Sequence, residues 1–473
     1  MSGGILDYDG SDHERHKLID EDGEPMADGL PGLRDNVHPS APTEEEIEDH
    51  VVAPGEPHYL PIGVMYQGEW RELADGIAKA TREQSLALAM YLPVSLHHVH
   101  VGEALMEQMH PDVVREVGYM PELMFKHTAV AVRQIVFHSQ TFLRGMIVPA
   151  MVRISDDETE RRVRASTIIY TSWERDVVHQ SLIDELRDIG ELWVPCHANR
   201  EAFVRSGFPA DRVQVIPHVY NPATHLATQI SWPRGSEIVP TGRRFYHIGK
   251  WEPRKNQHGM IGAFLQAFTP KDRVSLLIKT HGWGYWDDYP NPEDSLEQWA
   301  QDEKVVANGW TKKHISRVLR IVVDRLSDEQ IADLHRENNI YVSASHGEAW
   351  DIPAFDALCA GNSLLHVGYG GTEEYADLAT EFCNVVKIDH WMGPVHSGYN
   401  WESGANWAHY AHEQLIEAFQ KVKAPVRRVH PPKFQRFTRV FVGKMMAGRI
   451  LTIVEQVGGS DAVLKLSEVG SFG

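Results

Sequence analysis

The sequence predicts an α/β protein made of two halves, each a parallel sheet covered by helices on both faces. Three observations predict it. From His58 to about Pro217, short apolar runs alternate with stretches of helical period. A segment rich in Pro and Gly, with no period, follows. From Arg244 the same alternation resumes. Strands that alternate with helices pair in parallel, and two such halves leave a cleft at the carboxyl ends of their strands.

The elements follow in order. "HYLPIGVMY" reads as a buried strand, "EWRELADGIAKATREQ" as an amphipathic helix and "LALAMYLPV" as a second strand. "AVRQIVF", "STIIY", "GELWVP" and "DRVQVIP" are further strands, with "SLIDELRDI" and "ANREAFVRSGF" as helices between them. "HVYNPATHLATQISWPRGSEIVPTGRR" is the break, read as an interdomain linker. In the second half "RFYHIG", "VSLLIKT", "LRIVVDR", "IYVSAS", "SLLHVG" and "CNVVKI" are strands. "QHGMIGAFLQAF", "LEQWAQDEKVVANGW" and "SDEQIADLHREN" are helices, the last capped by Ser327. "WAHYAHEQLIEAFQKV" reads as another helix, and "KFQRFTRVFVGKMMAGRILTIVEQV" as a long closing one. The expected domains are an acidic arm over 1–56, a first half over 57–225, a linker over 226–242, a second half over 243–430, and a closing helix and tail over 431–473.

Composition bounds the function. The chain has 473 residues, 42% hydrophobic and 24% charged, as in a soluble globular protein. The start lacks the basic-then-apolar pattern of a signal peptide, and no apolar run reaches the roughly 18 residues of a membrane span. The three cysteines, Cys196, Cys359 and Cys383, are far apart, which points to a reducing compartment and a cytoplasmic location. The formal net charge of −20 opposes binding to nucleic acid or anionic lipid. The 27 histidines are scattered without metal-ligand spacing, so no metal is expected.

Two stretches carry chemistry. In "SASHGEAWDIPAFDALCAGN" a strand feeds a loop and then a helix with Pro353 in its first turn. A helix start facing the cleft attracts an anion such as phosphate. Glu348 before the turn and Asp356 within the helix are then placed to accept hydrogen bonds from hydroxyls on either side, as in a sugar nucleotide. The stretch alone fits a packed helix with solvated acids equally well. In "FYHIGKWEPRKNQHGMIGAF", Lys250, Arg254 and Lys255 cluster after a strand, where they can neutralise a diphosphate.

With these segments in order, the chain resembles the retaining glycosyltransferases of family 4. The family's basic segment corresponds to Gly249, Lys250, Lys255 and Asn256, and its Glu-x7-Glu segment to Glu348 through Asp356 and on to Gly361. "LSDEQIADLHRENNIYVSAS", "IIYTSWERD", "IGELWVPCHANREAFVRSGF" and "VQVIPHVYNP" are similar to other family segments, over roughly 166–387. The resemblance implies a GT-B fold: two facing Rossmann-like doubly wound domains, with a C-terminal helix crossing back to the first.

It also implies transfer of a hexosyl or pentosyl group, with retention and without metal, from a nucleotide-diphosphate sugar to a hydroxyl acceptor. A UDP- or GDP-sugar is the expected co-substrate, with no other cofactor. Lys250 and Lys255, helped by Arg254, would hold the diphosphate and Asp356 the ribose. Glu348 would face the donor sugar, with Trp350, Asp351 and Ile352 lining the phosphate. Gly68 would bring backbone close to the diphosphate. A cleft histidine is expected from the first half; His138 ranks ahead of His97, His98 and His100, and Glu174 also follows a strand. The acceptor is a glycan, small molecule or macromolecule, and membrane contact is peripheral at most.

Three departures qualify this. Asp356 stands where the family has Glu, "AWD" replaces "GFG", and Lys250 replaces Arg. Asp351 would repel a diphosphate unless it turns away to cap the helix. A catalytically degenerate sugar-nucleotide-binding protein is therefore the alternative, as is a GT-B enzyme acting on a nucleic acid base or another unusual acceptor. A dinucleotide-dependent oxidoreductase is set aside, since no GxGxxG turn follows the first strand.

Overall fold

A computed structural model describes residues 59–71, 76–98, 115–118, 120, 121, 123–134, 157–220, 242–281, 289–324, 326, 328–395, 404–426 and 428–458. The acidic arm, the linker but for Gly242, Ser327, His100 and His138 lie outside these residues.

The first half contains β1 (Tyr59–Gly68), α1 (Gly76–Ala89), β2 (Val94–His98), β3 (Met124–Gln134), α2 (Asp157–Ala165) and β4 (Thr167–Tyr170). It continues with α3 (Gln180–Leu186), β5 (Glu191–Val194), α4 (His197–Arg205) and β6 (Val213–Val215). Its six strands pair in parallel in the order β2-β1-β3-β4-β5-β6. β4 and β5 are buried along their whole length, as expected of strands covered on both faces.

The second half runs β7 (Arg243–Ile248), α5 (Gln257–Ala267), β8 (Val274–Lys279), α6 (Pro292–Gln301), α7 (Glu303–Ala307), α8 (Lys312–Val318) and β9 (Leu319–Val322). Then come α9 (Asp328–Glu337), β10 (Ile340–Ser343), α10 (Ile352–Cys359), β11 (Ser363–Val367), α11 (Glu373–Ala379) and β12 (Val385–Ile388). A short antiparallel pair, β13 (Trp391–Pro394) and β14 (Asn406–His409), precedes α12 (His412–Lys421). The second sheet is also six-stranded and parallel, ordered β12-β11-β10-β7-β8-β9. Counted from its own first strand this is the Rossmann order, and it reverses between β7 and β10.

The last helix, α13 (Arg439–Gly458), returns to the first half. Val442, Met446, Ile450 and Val454 enter the core of the first sheet with Val64, Tyr66, Val130 and Leu88. Arg439 is held by Glu83 at 2.7 Å and Glu116 at 3.6 Å, so this basic residue serves the strap and not a membrane surface. This is the GT-B fold with its crossing helix. No helix of the described residues is long and apolar enough to cross a membrane. The three cysteines are buried and unbridged.

Four readings of the sequence are corrected. Leu86–Ala89 complete α1, and the strand begins only at Val94. The run "LALAM" has no alternation, Leu and Ala favour helix, and Pro93 ends it. His97 and His98 consequently lie inside β2 rather than after it. The helix expected over 296–310 is two helices, divided at Asp302, whose carboxylate caps the second by accepting from Lys304 and Val305 N–H. The helix expected from Trp407 starts at His412, because Asn406–His409 pairs as β14.

Candidate functional site

Where the order of the second sheet reverses, the loops leaving β7 and β10 lie side by side, and such a switch point is where open α/β sheets bind ligands. The loop after β7 turns through a short 3₁₀ segment, Pro253–Lys255, into Asn256. Asn256 adopts φ 53°, a left-handed conformation Asn tolerates, and its side chain caps α5 by accepting from Gly259 N–H. The two loops are stitched together. His346 N–H donates to Arg254 O at 2.8 Å, and Arg254 Nη1 donates to Gly347 O at 2.6 Å.

This brings the two chemical segments together. Lys255 Nζ lies 2.5 Å from Glu348 Oε1, and Arg254 Nη1 lies 3.2 Å from the same oxygen. Arg254 Nη2 also meets Glu252 at 2.5 Å and Glu174 at 3.2 Å. Lys255, Glu252 and Glu348 are buried. Burial is the largest influence on Glu348 and pushes its carboxyl up, but Lys255 and Arg254 outweigh it and hold the group at about 2. Burial likewise opposes the charge on Lys255 and on Arg254, and their glutamate partners reverse it, so both are raised. Beneath the loop, burial and the Lys255 charge lower His247 to about 4, so it stays neutral while Val342 O lies 2.9 Å from its Nδ1.

Glu174 comes from the first half, after β4. Its backbone closes on the same loop: a Cβ at Gly347 would stand 2.2 Å from Glu174 O, so only glycine lets the two halves approach here. Asp356, in α10, is also reached from across the cleft, by Lys79 Nζ of α1 at 2.7 Å. Ile352, the first residue of α10, lies against the start of α1, its Cδ1 at 3.5 Å from where a Cβ on Gly76 would stand.

The other expected residues fall as follows. Lys250 is exposed at the start of the loop, its carbonyl accepting from Gln257 Nε2 at 2.6 Å. Trp350 turns into an aromatic core with Phe355, Tyr375 and Phe437, with ring centroids 5.2–5.5 Å apart. Asp351 is buried at φ 61°, held there as Tyr375 OH donates to the carbonyls of Trp350 and Asp351. Its carboxylate takes a 2.5 Å hydrogen bond from Ser343 Oγ and makes no cap bond of normal geometry to α10. Burial, then the Glu348 charge, raises Asp351 to about 6, with Lys255 and Ser343 acting against them.

Gly68 ends β1 against Thr81, whose Cγ2 would be 2.7 Å from an added Cβ; helix packing alone requires glycine there. His97 is lowered by burial and then by Arg133, and His98 meets Glu69 at 2.7 Å. His138 follows β3 but lies outside the described residues. Sequence reasoning missed Glu252 and Lys79. Glu252 sits in the quoted basic segment, two residues before Arg254. Lys79 gives no local signal, since its partner is 277 residues away. Among the described residues no group of three His, Cys, Asp or Glu is arranged to hold a metal ion.

No protein-family model and no curated protein sequence matches this chain. Solved structures similar to it include HepE from Anabaena in complex with UDP and glucose, at 11% identity and TM-score 0.47, covering 82% of this chain and 100% of that one. A glycosyltransferase involved in avilamycin A biosynthesis gives 13% identity and TM-score 0.44, covering 84% and 99%. The α,α-trehalose-6-phosphate synthase of Burkholderia multivorans gives 12% and 0.41, covering 72% of each chain. These likenesses bring no residue roles to the present chain.

Proposed function

We propose that this chain is a cytoplasmic retaining glycosyltransferase of the family 4 type, moving a sugar from a nucleotide-diphosphate donor to a hydroxyl acceptor. The observation that carries the reading is the junction of Lys255 and Arg254 with Glu348 at the switch point of the second sheet, against the first half. In this reading Arg254 and Lys255 swing from their carboxylates to the diphosphate, and the exposed Lys250 joins them. Glu348, ionised at neutral pH, accepts hydrogen bonds from the donor sugar. Asp356, released by Lys79, takes the ribose hydroxyls. The bond from the anomeric carbon to the phosphate oxygen breaks, the acceptor oxygen bonds to that carbon on the same face, and its proton passes to the departing phosphate. The cations stabilise the charge that develops there, which is the largest contribution such a site can make. No metal takes part.

A second reading is favoured by a specific observation: Arg254 already faces three glutamates, and Asp351 adds a fourth acid beside Lys255. A chain in that state binds a sugar nucleotide weakly or holds it without transfer.

Thermal shift with UDP-, GDP- and ADP-sugars, followed by a hydrolysis and transfer assay with the donor that binds, separates the two. A donor that stabilises the wild type but not Lys255→Met, and is turned over, supports the transferase. Binding without turnover supports the second reading. No shift with any nucleotide in folded protein removes both.

A further inference from the structure

The opposite edge of the second sheet carries another concentration of positive charge. The strands β7 and β8 begin there, roughly 20 Å from the loops described above, given about 3.3 Å per strand residue. The starts of β7 and β8 and the helix α8 enclose an open cavity of about 390 Å³. Five permanent cations line it, Arg243, Arg244, Lys271, Arg273 and Arg317, with His314 beside them. Among the described lining residues one carboxylate, Asp272, stands with them; its Oδ2 accepts from Thr269 N–H at 2.7 Å and from Thr269 Oγ1 at 2.9 Å, and its charge acts on Arg243. On a chain of net charge −20, this local excess is the reverse of the whole.

Two features make the cavity more than a solvated basic face. Part of its wall is fixed. Arg243 donates to the carbonyls of Phe419 at 3.2 Å and Gln420 at 3.1 Å and stands 4.5 Å over the Phe268 ring, while Arg244 donates to Glu337 O at 3.2 Å. Its apolar lining is Val274 and Trp310, both largely buried, and the single indole N–H of Trp310 points away, shared between Leu265 O at 2.8 Å and Phe268 O at 2.9 Å. The size lies in the range of small-molecule sites, roughly 300–1,000 Å³. Guanidinium groups match phosphate oxygens in a planar fork, and ammonium groups add point charge.

We infer that this cavity binds a small organic phosphate, its phosphate on the cationic rim and its apolar body on the lining of Val274 and Trp310. The site is separate from the switch point and from whatever donor binds there. Occupancy offsets the mutual repulsion of the rim, so binding weakens as salt rises.

The test is isothermal titration calorimetry of the full chain with phenyl phosphate and with inorganic phosphate. Three proteins are compared: wild type, the exposed-rim double variant Lys271→Ala/Arg317→Ala, and Lys255→Met. The expected result is phenyl phosphate binding that weakens by about tenfold or more in the rim variant, persists in Lys255→Met and exceeds the binding of inorganic phosphate. Equal binding in the wild type and the rim variant, or no binding in the wild type, overturns the site. Inorganic phosphate binding as tightly as phenyl phosphate overturns the organic ligand.

Discussion

The two edges of the second sheet both gather cations, under opposite rules. At the carboxyl edge Lys255 is buried and Arg254 half-buried, and each is matched by a carboxylate. At the amino edge Lys271 and Arg317 stand in solvent, and the acid described in that cavity, Asp272, is shared between Thr269 and the charge of Arg243. Burial explains the difference, because a charge taken out of water needs a partner and an exposed one does not. The chemical consequence is that an anion reaching the carboxyl edge must exchange places with glutamates, whereas one reaching the amino edge meets Lys271 and Arg317 already in solvent. Under the proposed function this exchange makes the first site selective, since only a ligand that also satisfies Glu348 and Asp356 recovers what is broken.

The sharpest way to break this contrast is Glu348→Ala. It leaves Arg254 and Lys255 short of their shared partner in a buried setting, and a stability loss of about 3–5 kcal/mol is expected in urea denaturation at neutral pH. Wild-type stability in that variant would show that the carboxyl edge is as solvated as the amino edge. Next in size is Lys79→Met, which removes the ion pair of Lys79 with Asp356. Under the proposed function the affinity for a nucleotide-sugar, measured by calorimetry, rises about tenfold, or 1.4 kcal/mol. An unchanged affinity would remove Asp356 from the ribose site.

Asp351→Asn sharpens the electrostatics. Asp351 is raised from 3.8 to about 6, so the native state holds its proton more tightly than the unfolded chain. The stability this contributes is complete below about pH 4 and is lost as pH rises through about 6. Asn tolerates the left-handed backbone and carries no charge, so the variant escapes that loss. A melting temperature about 2 °C above wild type is expected at neutral pH, with the gap closing in acid. A gap that widens in acid would reverse the assignment. Glu348, held at about 2, has the opposite sign: its contribution is present above its ordinary 4.5 and fades as pH falls toward 2. The smallest effect belongs to the amino edge. Lys271→Ala/Arg317→Ala is expected to gain about 0.5 kcal/mol in urea at low salt by relieving repulsion, with the gain vanishing in high salt. A loss would mean that these cations have structural partners.

The fold was legible where the signal is local. "IYVSAS" and "RFYHIG" are β-rich runs ended by loop residues, and both are central strands. The hairpin of β13 and β14 was not, because "WAHYAH" fits either period, and its pairing is decided by contacts outside it. Asp176 of the first half accepts from Asn406 N–H at 2.7 Å, and His346 O accepts from Ala408 N–H at 2.8 Å. In the site, Arg254, Lys255, Glu348 and Asp356 could be picked out as charged residues at strand ends. That Trp350 faces the core could not, because its direction is set by Phe437, which arrives on the return of the chain. Nor could the saturation of Arg254, since its partners come from the loop after β4, its own loop and the loop after β10.

The chain passes between the two halves twice, after β6 and again before α13. The two passages lie side by side: Tyr220 and Thr438 form a parallel bridge, and Tyr220 N–H donates to Phe437 O at 2.5 Å. The Tyr220 ring stacks on His430 at 4.7 Å, adding side-chain stiffness at the same point. Two tethers fastened together act mechanically as one axle. Under the proposed function, opening for a donor is then a rotation about that line, and it parts the Lys79–Asp356 and Glu174–Arg254 contacts.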